Sequence, residues 1–211
     1  MTNLCNDYLP QPEVTKNIQV LLYREDSFPP GTLAYLWQKM EEENPTKFLF
    51  ADGKRFTLNE FIRFFDGEKL LFLPLLVPEG EEPQLEHVVG IIWCDQIVRH
   101  RCHAHWVFWK RFWGKGRTVI ACRLALSQLF ALPLQPPIEI LLASAHSENT
   151  YAFSLWERMG VHISPDEIPD WFIHEDGTRH AARFGYFLKS DFLASEKMRL
   201  SAEKGQASGT G

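Results

Sequence analysis

The segment from Arg101 to Phe130 constrains the fold of this chain more than any other. RCHAHWVFW alternates over a strand-length run, which puts His103 and His105 on one face and Cys102 on the other. It passes through WGKGRT straight into a helical stripe of Val119, Cys122, Leu126 and Leu129, ended by Pro133, Pro136 and Pro137. A strand that turns through glycines into a helix gathers unpaired N–H groups and the positive end of a helix dipole at one point. Such a point suits an anion, a pyrophosphate above all. Gly114 and Gly116 let the backbone come close, and Thr118 adds a hydroxyl. Lys110, Arg111, Lys115, Arg117 and Arg123 surround this turn in a chain whose net charge is -5, a local reversal of sign.

The other elements fall into place around this unit. IQVLLY (Ile18 to Tyr23) reads as a buried strand, and LAYLWQKMEEE as a helix with Leu33, Leu36, Trp37 and Met40 on one face. Thr57 to Phe65 is a second helix, with Thr57 and Glu60 at capping-box spacing. Lys69 to Val77 and His87 to Ile97 are strands joined by the polar PEGEEPQLE. IEILLAS (Ile138 to Ser144) is a further strand, and Thr150 to Met159 a helix with Gly160 as its C-cap. A last strand pair surrounds the Asp176-Gly177 turn. Residues 1–199 are expected to form one domain, and residues 200–211 a mobile polar tail. The mixed order is not the alternation of a doubly wound sheet, and no G-x-G-x-x-G follows a strand.

Charge and cysteine usage narrow the function classes. The acidic balance gives no drive toward nucleic acid or an anionic membrane, and no run approaches twenty apolar residues. MTNLCNDYLPQPEV lacks a basic start followed by an apolar core, and the four cysteines form no C-x-x-C pair, so a cytoplasmic protein with reduced thiols is expected. Cys94, His100, Cys102, His103 and His105 do not have the spacing of a structural zinc site, and no metal is expected.

Four motifs resemble the GNAT (GCN-five-related) N-acetyltransferase superfamily: VVGIIWCD as a third strand, FWGKGRT as a pyrophosphate loop, NTYAFSLWERMGV as an Asn-led helix, and DGTRHAARFGYFLKSDF as a closing hairpin. The resemblance implies an α/β (α+β) acyl-CoA N-acyltransferase fold, with a mixed twisted sheet of six or seven strands flanked by about four helices. It further implies acetyl-CoA as co-substrate, direct transfer to a primary amine of a small molecule or protein, and a cofactor site at Phe108, Trp109, Arg111, Trp113, Gly114, Lys115, Gly116, Arg117, Thr118 and Asn149. His103 and His105 are the candidate bases, since a neutral imidazole can accept a proton near pH 7. Glu86 and His87 are weaker candidates, and Asn149 also reads as a plain N-cap.

Two positions depart from the family pattern. Trp113 stands where Gln or Arg usually opens the loop, and Trp156 stands where a Tyr often protonates the departing thiolate. Tyr151 faces elsewhere, leaving water or Ser154 for that task. The rival expectation is therefore a binding or assembly protein that keeps the fold without turnover, a kind also found in phage genomes. The resemblance leaves room for a homodimer.

Overall fold

The apolar runs all become strands of one sheet. A computed structural model describes residues 17–24, 28–43, 56–65, 69–114, 116–174 and 176–207. The strands are β1 (Ile18–Leu22), β2 (Leu70–Leu76), β3 (Gly90–Val98), β4 (Arg101–Phe108), β5 (Ile140–His146), β6 (His162–Ile173) and β7 (Arg179–Leu188). They lie in the order β1-β2-β3-β4-β5-β7-β6, and every neighbouring pair is antiparallel except β4 and β5. The helices are α1 (Thr32–Glu43), α2 (Leu58–Phe65), α3 (Arg117–Ala131), α4 (Thr150–Met159) and α5 (Lys189–Ala207).

Strand alternation assigns the two faces. Phe72, Ile92, Cys94, Ala104 and Trp106 meet Cys122, Ala125, Leu126 and Leu129 of α3 around one small apolar cavity. On the opposite face Trp93 packs edge-on against Phe64 and Phe65 of α2. With helices on both sides, β2 is buried nearly throughout, which is why LLFLPLL shows no polar alternation. Local capping follows the sequence. Thr57 Oγ1 accepts from Glu60 N–H, and the Glu60 carboxylate accepts from Thr57 N–H at 2.8 Å. Gly160 closes α4 at φ 81, in the left-handed region.

Gly90 is fixed by packing. A Cβ there would meet the Val107 carbonyl oxygen at 2.4 Å and the Phe108 ring at 2.8 Å. The first obstacle is backbone of the adjacent strand and cannot rotate away. Gly90→Ala is therefore expected to cost about 2–3 kcal/mol, the upper range for overpacking, and a denaturant melt would read it as a lower midpoint at unchanged slope.

At the C-terminus the structure describes the expected tail only over residues 200–207, and residues 208–211 lie outside the described residues. Lys189 to Ala207 is helical, so the stretch expected to be a polar tail from residue 200 continues α5. Phe192 anchors this helix, 2 % exposed, and Arg123 of α3 pairs with Glu196 at 2.8 Å. The helix is mostly polar beyond Phe192, which is why its periodicity is faint. Among the described residues no helix is long and apolar enough to cross a membrane.

Candidate functional site

The site begins where the sheet comes apart. β4 and β5 pair only through Arg101↔Ile140, Cys102↔Leu141 and His103↔Leu142, and no pairing joins their later residues. Trp109 N–H bonds back to Val89 on the β3 side. By the alternation of the ladder, the backbone groups of Ala104, Trp106 and Phe108 then turn toward the gap. Inside a sheet, such a row of unsatisfied groups is a template for an extended partner. The Trp113 indole already donates to the Phe108 carbonyl at 2.9 Å. On the α3 side the gap is floored by Trp106, set edge-on against Trp156.

His103 and His105 stand on the other face of β4, His103 toward β5 and His105 toward β3. His105 stacks flat on Trp93, with ring centroids 4.7 Å apart, and its Nε2 lies 3.2 Å from Asp95 Oδ1. His103 lies edge-on to His105, and its Nε2 is 3.4 Å from Ser144 Oγ of β5. Asp95 joins them because the β3–β4 register sets it opposite His103. It also sits at a bulge where Gln96 takes φ 48, a device that re-aims a strand side chain. Burial works against the Asp95 carboxylate. The hydrogen bond from His105 and the nearby charges of His105, His103 and Lys69 outweigh it and hold its pKa below the ordinary value. Asp95 is the candidate site residue that motif reading missed.

His103 is pushed down to about 4, first by burial and then by His105, with Asp95 opposing. This fixes a sign for stability. Between the ordinary 6.5 and about 4, the unfolded chain holds a proton that the folded chain does not. Stability is thus unaffected above that window and falls as the pH drops through it. The groups facing His103 are His105, Asp95 and Ser144, with Lys69 acting on Asp95. In chelator-containing buffer, His103→Asn is expected to flatten the fall in melting temperature between pH 6.5 and 4. Equal slopes for the two proteins would contradict the assignment.

At the far end of β4 the chain passes through a short 3-10 turn, Lys110–Phe112, into α3. Gly114 and Gly116 take φ 87 and 71, left-handed values that favour glycine, and Gly116 is the N-cap. Ile120 N–H bonds to Gly116 C=O, so the amides of Arg117, Thr118 and Val119 precede the helical ladder. Arg117 N–H is taken by Gly114 C=O at 3.1 Å.

The cations expected to meet an anion here mostly turn to the protein instead. Arg111 donates to the carbonyls of Glu86 and Val88, Arg117 to those of Arg111 and Trp113, and Arg123 to Glu196 and Ser195. Arg111 and Arg117 brace the loop and Arg123 ties α3 to α5, while Lys110 is exposed and Lys115 lies outside the described residues. Phe108 and Trp109, expected at the cofactor site, are buried. Both belong to the core, and the Trp109 indole donates to Val88 C=O. Trp113 and Tyr151 meet across the mouth of the gap with ring centroids 5.0 Å apart.

Asn149 caps α4 by accepting from Ala152 N–H at 3.1 Å. Trp156 is 2 % exposed, and its indole N–H makes no hydrogen bond among the described residues. Ser154 is exposed, on another side of α4 from the buried Trp156. His87 pairs with Glu81 at 3.2 Å and Glu86 is exposed, both on the β2–β3 connection. Cys94, Cys102 and Cys122 are free and buried. A thiol hydrogen bond with Cys102 and burial raise the Cys94 thiol, and burial raises Cys122, which suits packing rather than nucleophilic attack.

No family profile matches the chain, and no curated protein matches it in sequence. Solved structures do match. The spermidine N-acetyltransferase from Vibrio cholerae, in complex with CoA and spermine, superposes with a TM-score of 0.64 at 15 % identity, over 84 % of this chain and 98 % of that one. An acetyl transferase from Salmonella typhimurium that modifies the N-terminal serine of ribosomal protein L7/L12 gives 0.62 at 10 % identity, over 83 % and 96 %. A GNAT-family acetyltransferase from Bacillus anthracis gives 0.61 at 15 %, over 83 % and 96 %.

Proposed function

We propose that this chain, which has the fold of the GNAT N-acetyltransferases, binds acetyl-CoA across the gap between β4 and β5 and passes the acetyl group directly to a primary amine. One observation carries the reading. β4 carries an unpaired edge beside β5, a carboxylate-backed imidazole at His105 and, just past its end, a glycine-capped helix N-terminus. The residues fit the coenzyme in its two polar parts. An extended amide chain matches the backbone groups of Ala104 and Trp106, and a pyrophosphate matches the first-turn amides of α3.

Acetyl-CoA would supply an electrophilic thioester carbonyl. His105 is the better base of the two histidines, because it lies beyond the paired part of β4 and Asp95 backs it. The Asp95 carboxylate orients the ring and stabilises the imidazolium formed when the ammonium loses its proton. The neutral amine nitrogen forms a bond to the acetyl carbon as the carbon–sulfur bond breaks, and the proton that the acylated nitrogen then sheds passes through water to the thiolate. Trp156 can donate a hydrogen bond but is no acid, and Ser154 is exposed. The structural neighbours named above act on spermidine and on an N-terminal serine, which supports an amine acceptor.

Incubation with acetyl-CoA and a panel of polyamines and free-N-terminus peptides tests this reading, scored by acetylated product and released CoA. The inward-turned arginines and Trp156 favour the rival, a binding protein without turnover. Acetyl-CoA binding with no product across the panel would select that rival.

A further inference from the structure

We propose that Asp95, His103 and His105 form a site for a divalent transition-metal ion of the zinc type. One carboxylate oxygen and two imidazole nitrogens lie within 4.8 Å of one another. Zinc–ligand bonds of about 2.0–2.1 Å place tetrahedral ligands roughly 3.3 Å apart. His105 Nε2 and Asp95 Oδ1 are already 3.2 Å apart, so only the His103 ring has to close in. Its contact to Ser144 Oγ is long, at 3.4 Å, and little is lost in that movement.

The donor set has the chemistry of an open zinc centre. Two imidazoles and a carboxylate supply three ligands and leave a position for water or a substrate atom. All three residues stand on paired strands, which hold a constellation more rigidly than loops do. Trp93 stacks on the His105 ring and fixes its plane. The cluster is partly open to solvent, with the His105 side chain 28 % and Asp95 15 % exposed, so an ion has access. The opposing charge is Lys69, whose ammonium lies over the Phe64 ring, 4.4 Å from its centroid.

A second histidine group, His146, His180 and His174, gathers at the ends of β5, β6 and β7 with centroid spacings of 4.1 and 4.7 Å. His146 Nδ1 is spent there in accepting from Glu148 N–H, and no carboxylate completes the group among the described residues. It therefore serves as the internal control. The inference shares residues with the proposed base but does not rest on acetyl transfer, because metal binding requires neither coenzyme nor turnover. An ion held there would occupy the base, so the metal would inhibit any transferase activity.

The test uses the full chain, stripped with chelator and titrated with Zn2+ against a chromophoric competitor and with Co2+ by visible absorption. One equivalent is expected, and Asp95→Asn and His105→Ala should each weaken Zn2+ binding by at least about 30-fold, while His180→Ala leaves it unchanged. Metal-free melts check that each variant folds. Imidazole nitrogen shifts of His103 and His105 in the unsubstituted protein report the same event without any substitution. Absence of stoichiometric Zn2+ binding, or binding lost only in His180→Ala, would overturn the assignment, whatever acetyl-CoA does.

Discussion

Gly116→Glu is expected to weaken acetyl-CoA binding by more than 100-fold, about 3 kcal/mol. Gly116 is the N-cap of α3 at φ 71, where the first-turn amides emerge. A glutamate adds a negative charge at the point proposed for the pyrophosphate, and its side chain competes for the same N–H groups. Its left-handed backbone adds roughly 1–2 kcal/mol of strain. Gly116→Ala carries that strain without the charge and separates the two causes. A large loss in the glutamate variant and a small one in the alanine variant, by calorimetry on proteins with matching circular dichroism, is the expected pattern. Equal affinities for all three proteins would remove the loop from the cofactor site.

His105→Ala is expected to lower kcat by about 10²–10³-fold, the usual yield of a positioned base, with acetyl-CoA affinity within a factor of about two. The reason is geometric. His105 stands on the face of β4 opposite Trp106, stacked on Trp93 and away from the α3 amides, and its polar partner among the described residues is Asp95 at 3.2 Å. Asp95→Asn should move the rate in the same direction and by less, because an amide still orients the ring but no longer stabilises its cation. Chelator in the assay keeps metal from masking either effect. An unchanged kcat in His105→Ala would transfer the base to His103 or to water.

Local rules made much of this fold legible. Thr57 with Glu60, Asn149 and Gly160 each announced a helix end because capping is a matter of three or four neighbouring residues. The alternation of RCHAHWVFW correctly set His103 and His105 on one face, apart from Cys102. Asp95 was hidden because its role depends on strand register. It ends VVGIIWCD, eight residues before His103, and only the β3–β4 pairing and a bulge bring the two together. The partners of the arginines were hidden for the opposite reason. Arg111, Arg117 and Arg123 are close in sequence to the glycine turn, but their long side chains reach Glu86, Trp113 and Glu196, two of which are distant in sequence. The helix at Lys189–Ala207 was obscured by its polarity, since Phe192 alone carries its deepest burial.

Calorimetric titration of the purified chain with acetyl-CoA, and separately with free CoA, bears most directly on the proposed site. Stoichiometric binding of both, with a dissociation constant on the order of micromolar, about −8 kcal/mol, is the expected result. A folded protein that binds neither would contradict it, and would leave the gap between β4 and β5 as a feature of the fold with no coenzyme to hold.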